Sequence, residues 1–427
     1  MTTPLTARTI SEKILSVKAG RPVRAGDVVM CSVDRLIGTD ASTPMAIDYF
    51  ERMGGTRLFD PSRVMFAFDH YSPATTAKTR GFHDRVREFV RLFGGELHEA
   101  GEGISFQLAV ELARALPGDL VIGADSHTVT CGALNLFALG VGSSDLAAAM
   151  ITGQAWLRVP ETIRVVLTGE RPPATSAKDI ALALVAEIGT DGANYQALEF
   201  EGPGVAALSF DDRLVMSNMA VETDAKAAIF PFDGATAAYL APRTSRGNTP
   251  VAADPGARYV REVTLDLSAI MPRVAFPHSP GNVKALEQAI GVPVQMVFIG
   301  TCTGGRVADL HEALGVLARF GGRVAPAVQL VITPASREVE ECLVNDGTLA
   351  RFRAMGAVVT PTGCGACCGT SGIIPADGSN VLSTANRNFK ARMGNATASI
   401  YLASPAVCAA SAASGHISDP CTMPEAR

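Results

Sequence analysis

Residues 120–128 have the sequence LVIGADSHT, in which an apolar run leads directly into polar side chains. Short apolar runs of this kind, alternating with helical stretches, are typical of buried parallel strands in α/β layers. The chain has four more such runs, at residues 64–68, 163–167, 294–299 and 328–332. The pattern therefore predicts an α/β protein built on parallel sheets.

Several of these predicted strands end in polar residues. Asp69 and His70 follow the run at 64–68, and Asp125, Ser126 and His127 follow the run at 120–123. Ligands bind beyond the carboxyl ends of parallel strands, and a carboxylate beside an imidazole can orient a proton donor. In isolation, a loop-capping Asp with a surface His, or a Ser or Thr helix cap, explains these residues as well.

Three cysteines follow later strands: Cys302, and the pair Cys364 and Cys367 in the sequence GCGAC. Three thiolates can hold three irons of a cubane iron–sulfur cluster and leave the fourth iron open to a hydroxy acid. Three alternatives remain open at this point. Structural zinc would need a fourth Cys or His at short spacing, a redox pair would suit an early strand-to-helix unit, and free cysteines can be ordinary buried apolar residues.

Two arginines, Arg387 and Arg392, lie five residues apart beyond the second cysteine pair, next to Asn386. Arginine binds carboxylates in a bidentate manner, so this pair is suited to a di- or tricarboxylic acid. The alternative is a solvated basic helix start. Glu222 lies on a helix-like stretch and without further context would be a surface charge.

Composition limits the class of protein. The 427 residues exceed one ordinary core, and 47% hydrophobic residues with 41 glycines are typical of a compact α/β enzyme of two or three domains. A net charge of −5 argues against nucleic-acid binding. The N-terminal residues 1–19 are too charged for a signal peptide, and no run of about twenty apolar residues exists to span a membrane. Nine scattered cysteines suit a reducing compartment, so we expect a cytoplasmic protein.

Four motifs in fixed order carry a resemblance to a known family: GADSHT at 123–128, PHSP at 277–280, GCGAC at 363–367 and STANRNF at 383–389. With these the chain resembles the aconitase superfamily, and within it the large subunits of 3-isopropylmalate dehydratase and homoaconitase. The resemblance implies three α/β/α domains around a 4Fe–4S cluster. Domains 1 and 2 would be interleaved in residues 1–283, and residues 284–427 would form domain 3 with the cluster cysteines.

The resemblance also implies roles for individual residues. Cys302, Cys364 and Cys367 correspond to the cluster ligands. The other matching positions are catalytic residues Asp69, His70, Asp125, His127 and Glu222, polar contacts Ser126, Asn218 and Asn386, and carboxylate clamps Arg387 and Arg392. In this family a serine on a separate swivelling domain acts as the base. That domain is absent here, which implies a small partner subunit that supplies the serine.

The chain departs from the family pattern at four positions near the site: Phe106, Asp224, Gly304 and Cys368. Phe106 stands where a histidine would pair with Asp125, and desolvation by Phe106 is expected to raise the pKa of that carboxyl. Gly304 stands where an asparagine is usual, which removes an amide beside the cluster and is expected to shift its potential and the substrate pose. Asp224 replaces a common glycine, and Cys368 adds a thiol.

Three functions follow from these observations. The first is dehydration and rehydration of a malate-type hydroxy acid, with 3-isopropylmalate as the default substrate. The second is a related dehydratase, such as a homoaconitase, acting on another substituted malate, as the changes at Phe106 and Gly304 suggest. The third is a catalytically idle cluster-bearing sensor or scaffold. Retention of both arginines and all three cysteines argues against the third, because an idle protein needs no carboxylate clamp.

Overall fold

A computed structural model describes residues 7–422; residues 1–6, which belong to the N-terminal stretch considered above, and 423–427 lie outside the described part. The strands are β1 Val28–Ser32, β2 Arg35–Thr39, β3 Val64–Ala67, β4 Glu96–His98, β5 Leu120–Gly123, β6 Phe137–Gly140, β7 Gln154–Arg158, β8 Thr162–Thr168, β9 Ala197–Glu201, β10 Ala227–Ile229, β11 Arg261–Asp266, β12 Arg273–Ala275, β13 Val283–Ala285, β14 Met296–Gly300, β15 Gln329–Thr333, β16 Val358–Val359, β17 Asn380–Ser383 and β18 Ser399–Leu402.

Twelve α-helices alternate with these strands in the described residues. They are α1 Ile10–Lys18, α2 Thr43–Arg52, α3 Ala77–Phe93, α4 Ser105–Glu111, α5 Ser143–Thr152, α6 Ala177–Ile188, α7 Phe210–Ala220, α8 Gly234–Leu240, α9 Val307–Arg319, α10 Arg337–Asn345, α11 Thr348–Ala354 and α12 Pro405–Ser414. None of the described helices is long and apolar enough to cross a membrane.

Two of the sheets are entirely parallel. The first has the strand order β4-β3-β2-β5-β6, and the second has the order β10-β9-β8-β11. Strands β3 and β5 are buried along their whole length, as the apolar runs at 64–68 and 120–123 predict. A separate antiparallel ribbon pairs β1 with β7.

The third sheet has the order β13-β12-β18-β17-β14-β15-β16, with an antiparallel edge on an otherwise parallel sheet. The predicted boundary between residues 283 and 284 falls inside β13, and the preceding β12 pairs with β18. The division into domains stays a prediction. Because a sheet edge belongs with its sheet, we propose that the third domain begins before Arg273.

The sheets meet through shared hydrophobic cores. One cluster of buried residues joins Val165 of β8 and Leu198 of β9 to Phe298 of β14. Another joins Ile37 of β2 and Met65 of β3 to Cys302, just after β14. The loops that follow β3, β5, β14 and β17 are thereby brought to a common region, and the candidate site lies there.

Candidate active site

Asp69 and His70 follow β3 as a closely bonded pair. Asp69 is buried, and its Oδ1 lies 2.7 Å from Nδ1 of His70. The second oxygen of Asp69 accepts a hydrogen bond from the backbone N–H of Ser105, which opens α4. Burial alone would lower the pKa of His70, but the negative charge of Asp69, its hydrogen bond and the charge of Asp125 hold that pKa well above its ordinary value. His70 is thus a good candidate for an imidazole that carries a proton.

Asp125, His127 and Glu222 form a second group. Asp125 caps the 3-10 segment Ser126–Leu134 by accepting a hydrogen bond from the backbone N–H of His127, at 2.7 Å. Its other oxygen lies 3.5 Å from Nε2 of His70. Nε2 of His127 lies 2.9 Å from Oε1 of Glu222, and both side chains are buried. The two imidazoles therefore face one carboxylate, Asp125, between them.

Arg387, just after β17, completes this group. Its Nε donates to Glu222, with distances of 2.8 and 3.1 Å to the two carboxylate oxygens, and its Nη1 donates to Oγ of Ser126 at 3.0 Å. Burial favours the neutral form of Glu222, but His127 and Arg387 lower the pKa of this carboxyl below its usual value. Glu222 is therefore a buried carboxylate rather than the surface charge that its local sequence suggests.

The three cysteines lie beside these pairs. Cys302 and Cys367 are buried, Cys364 is half-buried, and none of the three is in a disulfide. The backbone N–H of Cys364 donates to the carbonyl of Asp69, which fixes the cysteine loop against the end of β3. Burial and the neighbouring Cys367 raise the pKa of Cys302 to about 11, and burial with the nearby negative groups also raises that of Cys364. The raised pKa values of Cys302 and Cys364 favour their neutral forms, and a bound metal deprotonates such thiols, so the donor set fits an iron–sulfur cluster.

Asn386 lies against the cysteines, and Asn218 contacts Asn386. Nδ2 of Asn386 is 3.3 Å from the sulfur of Cys302 and donates to Oδ1 of Asn218 at 3.2 Å. Asn218 on α7 donates in turn to Oγ1 of Thr130. Both asparagine side chains are buried. They link the cysteine set to the segment that carries His127.

Arg392, the second predicted clamp, lies beside Cys367. Its Nη2 is 3.5 Å from the sulfur of Cys367. A negative charge on the Cys367 sulfur acts to raise the pKa of Arg392 above its ordinary value. Within residues 7–422, Nε of Arg392 is buried and has no hydrogen-bond partner. The two arginines therefore have different partners: Arg387 contacts Glu222 and Ser126, and Arg392 contacts Cys367.

The expected effect of Phe106 on Asp125 is wrong. Phe106 is buried in an apolar cluster that also contains Cys302, so a hydrophobic neighbour is present. Burial does favour the neutral form of Asp125, but the hydrogen bonds from His127 and the charges of His127 and His70 outweigh it and lower the pKa below its usual value. The carboxylate lost one histidine partner in comparison with the family pattern and keeps two others.

Close packing explains why position 304 is a glycine. A Cβ at this position would lie 2.3 Å from both Cβ and Oγ1 of Thr384. Thr384 is fully buried and fixed, since its Oγ1 is hydrogen-bonded to the N–H and carbonyl of Gly300 at 2.9 and 3.1 Å. The loop after Cys302 is therefore packed too closely for the asparagine usual in the family. The effect on potential and pose stays a prediction.

We expect Gly304→Asn to destabilise the protein by about 1–3 kcal/mol, because overpacking against a fixed neighbour forces the backbone to move. Thermal or urea unfolding measures this. Gly315→Ala is the matched control, since no atom lies within 4 Å of a Cβ at this position in α9 and alanine favours a helix. An unchanged unfolding midpoint for Gly304→Asn would show that the loop yields freely.

The other two departures are less consequential for the site. Asp224 has a φ of 68°, a left-handed conformation in which glycine is more usual, and its side chain is exposed and accepts a hydrogen bond from Asn194. Cys368 is half-buried, with its sulfur 2.9 Å from Oγ1 of Thr370. Cys368 therefore brings an additional thiol close to His70, whose carbonyl accepts from Thr370.

Two residues to which sequence reasoning assigned no role also support the site. Asp40, after β2, is fully buried and accepts hydrogen bonds from the backbone N–H groups of His70 and Tyr71 and from His83. Its position at the end of a strand beside β3 is the feature of the sequence that could have indicated this supporting role. Lys178 is the one basic residue of the mostly apolar helix α6, and its amino group reaches the loops that carry Cys302 and Asn386.

Comparison with known proteins agrees with this geometry. The model of the aconitase family (aconitate hydratase) matches residues 12–415. The large subunit 1 of 3-isopropylmalate dehydratase from Methanopyrus kandleri is 43% identical over 414 residues, which cover 97% of this chain and 99% of the relative. The corresponding large subunit from Syntrophus aciditrophicus is 44% identical over 416 residues, 96% of this chain and 98% of the relative. Aconitase X (holo-form) from Thermococcus kodakaraensis has a TM-score of 0.51 and 13% identity over 89% of each chain, which shows a shared fold.

The chain therefore belongs to the aconitase family, and the predicted aconitase-like α/β fold is confirmed. It is an enzyme of the hydro-lyase class. Members of this family bind iron–sulfur clusters, in agreement with the cysteines described above. The curated relatives cited here are large subunits of 3-isopropylmalate dehydratase.

Proposed function

We propose that this chain is the large subunit of a dehydratase that moves a hydroxyl group on a malate-type acid by dehydration and rehydration, with 3-isopropylmalate as the substrate. The observation that carries the proposal is the continuous set of contacts Ser126–Arg387–Glu222–His127 beside the three cysteines. Such a reaction requires a guanidinium group to bind a carboxylate, side chains that transfer protons, and thiols to hold a cluster.

We further propose that Cys302, Cys364 and Cys367 hold a 4Fe–4S cluster. When bound, such a cluster supplies a Lewis-acidic iron that makes hydroxide a viable leaving group. Asn386 supports the proposal, because an amide 3.3 Å from the sulfur of Cys302 is suited to tune a thiolate ligand.

The chain's own residues position the acid and move protons. Arg387 and Arg392 bind the substrate carboxylates; Arg387 is already fixed by Glu222 and Ser126, so little order is lost on binding. His70, with its raised pKa, holds a proton at Nε2 and delivers it to the departing hydroxyl. Asp125, His127 and Glu222 hold the acid–base side chains in one orientation around the leaving group, while Asn218 and Asn386 orient the cysteine loop.

A partner chain completes this proposed site. The relatives from M. kandleri and S. aciditrophicus are named large subunits, which supports a small subunit here as well. We propose that this small subunit carries the swivelling domain, and that its serine removes the proton from the carbon next to the one that bears the hydroxyl. The large subunit alone should then show little or no turnover.

The pH dependence tests the role of His70. We expect Asp69→Asn to lower the pKa of His70, because the neighbouring negative charge that raises it is removed. A proton donor is lost as pH rises through its pKa, so the alkaline limb of kcat/KM should move to lower pH in the variant. The profile of kcat/KM against pH measures this shift.

Asp346→Asn provides a matched control for this experiment. Asp346 also pairs with a histidine, His311, at 2.6 Å, but both side chains of that pair are exposed. The pH profile of kcat/KM for Asp346→Asn should match that of the unaltered enzyme. An alkaline limb that stays in place in Asp69→Asn would remove His70 from the role of proton donor.

The substrate is tested with the two-chain enzyme. The chain is reconstituted anaerobically with iron and sulfide, combined with a candidate small subunit, and assayed with malates that carry isopropyl, methyl or carboxyalkyl groups on the third carbon. We expect the highest kcat/KM for the isopropyl compound. Preference for a carboxyalkyl malate would favour the homoaconitase alternative. A cluster-bearing complex with no turnover of any of them would favour the sensor or scaffold.

A further inference from the structure

Lys178, near the start of α6, is the most deeply buried amine of the described site region. Its side chain is 1% exposed. Nζ donates to the carbonyls of Thr384 and Ala385, each at 2.7 Å, and to Oγ1 of Thr303 at 3.2 Å. It also lies 3.8 Å from the sulfur of Met219. All of these partners are electrically neutral.

A buried ammonium group with neutral partners is costly unless a negative charge lies nearby. The groups whose charges act on Lys178 are the thiols of Cys302, Cys408 and Cys367, followed by Asp309. Asp309 is engaged elsewhere, since it caps α9 by accepting from the backbone N–H of Arg306. Cys408 is buried and its pKa is raised, so it stays a neutral thiol. Of these groups Cys302 acts most strongly on Lys178, and Cys302 and Cys367 become negative when a cluster is bound.

The position of Nζ in the chain supports the same conclusion. Thr303 directly follows Cys302, and Ala385 directly precedes Asn386 and Arg387. Oγ1 of Thr303 donates to the carbonyl of Thr384, so the two loops and Nζ form one hydrogen-bonded unit. Lys178 thus ties the first cysteine loop to the loop that carries the predicted carboxylate clamp.

We propose that Lys178 is a positioning residue whose buried ammonium group balances the negative charge of the thiolate-bound cluster and joins the Cys302 loop to the Asn386–Arg387 loop. This inference rests on the proposed function, because it needs a cluster on the three cysteines. Burial lowers the pKa of Lys178 to about 8, and thiolate charges act in the opposite direction, which favours the charged form once the cluster is bound.

The reduction potential of the cluster is the decisive measurement. Dehydration and rehydration transfer no net electron, so this potential reports the charge around the cluster rather than the reaction. A positive charge stabilises the more negative, reduced cluster. In the reconstituted enzyme, we therefore expect Lys178→Met and Lys178→Gln both to shift the midpoint potential to more negative values in an EPR-monitored titration.

The two variants separate charge from hydrogen bonding, because glutamine keeps a donor for the carbonyls and methionine does not. Lys18→Met is the matched control: it removes one positive charge from a partly buried pair with Asp34, at 2.7 Å, that within the described residues has no contact with the cysteine loops. A shift in both Lys178 variants and none in Lys18→Met supports the proposal. The charge-balancing role is overturned if only Lys178→Met shifts the midpoint potential. It is also overturned if both Lys178 variants have the same midpoint potential as Lys18→Met.

Iron content distinguishes this inference from the proposed function. An unaltered chain that forms no 4Fe–4S cluster would overturn both. An unaltered chain with a full cluster, together with Lys178 variants of unchanged iron content and unchanged potential, would overturn only the role of Lys178. A folded Lys178→Gln variant that takes up much less iron than Lys18→Met would support the need for a buried charge.

Discussion

Cys302→Ser is expected to lose the iron–sulfur cluster and to reduce turnover by more than about 10³-fold, because the reaction loses several kcal/mol of metal-based charge stabilisation. Cys302 is 4% exposed and lies next to Asn386, so serine fits its space while a hydroxyl is a much weaker ligand for iron than a thiolate. Iron and sulfide content per chain and turnover with the small subunit measure the two losses.

Cys31→Ser is the matched control for this experiment. Cys31 is equally buried, in the ribbon strand β1, and its sulfur contacts the carbonyl of Leu15. This variant should keep full iron content and activity. If Cys302→Ser bound as much iron as Cys31→Ser and turned over at the same rate, Cys302 would not be a cluster ligand.

Glu222→Gln is expected to lower kcat by about 10²- to 10⁴-fold, the range over which a positioned acid–base group acts. Glu222 is 4% exposed and bonded to both His127 and Arg387. The amide keeps the size of the side chain but removes the charge that orients His127 and balances Arg387. A rise in KM should accompany the fall in kcat, because the arginine loses its fixed position.

A second buried carboxylate provides the control. Glu199→Gln changes a residue that is 2% exposed in β9 and accepts hydrogen bonds from the backbone of Ile10 and Ser11 at the start of α1. Some loss of stability is expected there, with kcat unchanged. Equal kcat values for Glu222→Gln and the unaltered enzyme would limit Glu222 to a structural role.

Much of the site could be predicted because its residues follow apolar strands in short, local motifs. Asp69, Asp125 and Cys302 each come two residues after the end of a strand, and a parallel sheet brings such positions to the edge where its strands end. Glu222 could be placed by family resemblance alone, since its local sequence indicates a surface helix. Its burial and its pairing with His127 and Arg387 arise from contacts between sheets.

The remaining features depend on distances that a sequence does not contain. The pKa of Asp125 is lowered rather than raised, because the two nearby histidines outweigh the desolvation that Phe106 suggested. The need for a glycine at position 304 is set by the side chain of Thr384, which is eighty positions further along the chain. Lys178 appears in the sequence as the one basic residue of a mostly apolar helix, and only the fold brings it to the loops after Cys302 and before Asn386.

The contacts that link Ser126, His127, Glu222 and Arg387 span large separations along the chain: 95 residues from His127 to Glu222, 165 from Glu222 to Arg387 and 261 from Ser126 to Arg387. A ribosome therefore releases the two histidine segments first, the thiols later and the guanidinium last. Contacts of such high sequence separation also form late in folding. With the proposed ligand set, a chain synthesised only as far as Cys302 offers iron one of three thiols, so cofactor loading has to follow release of Cys364 and Cys367.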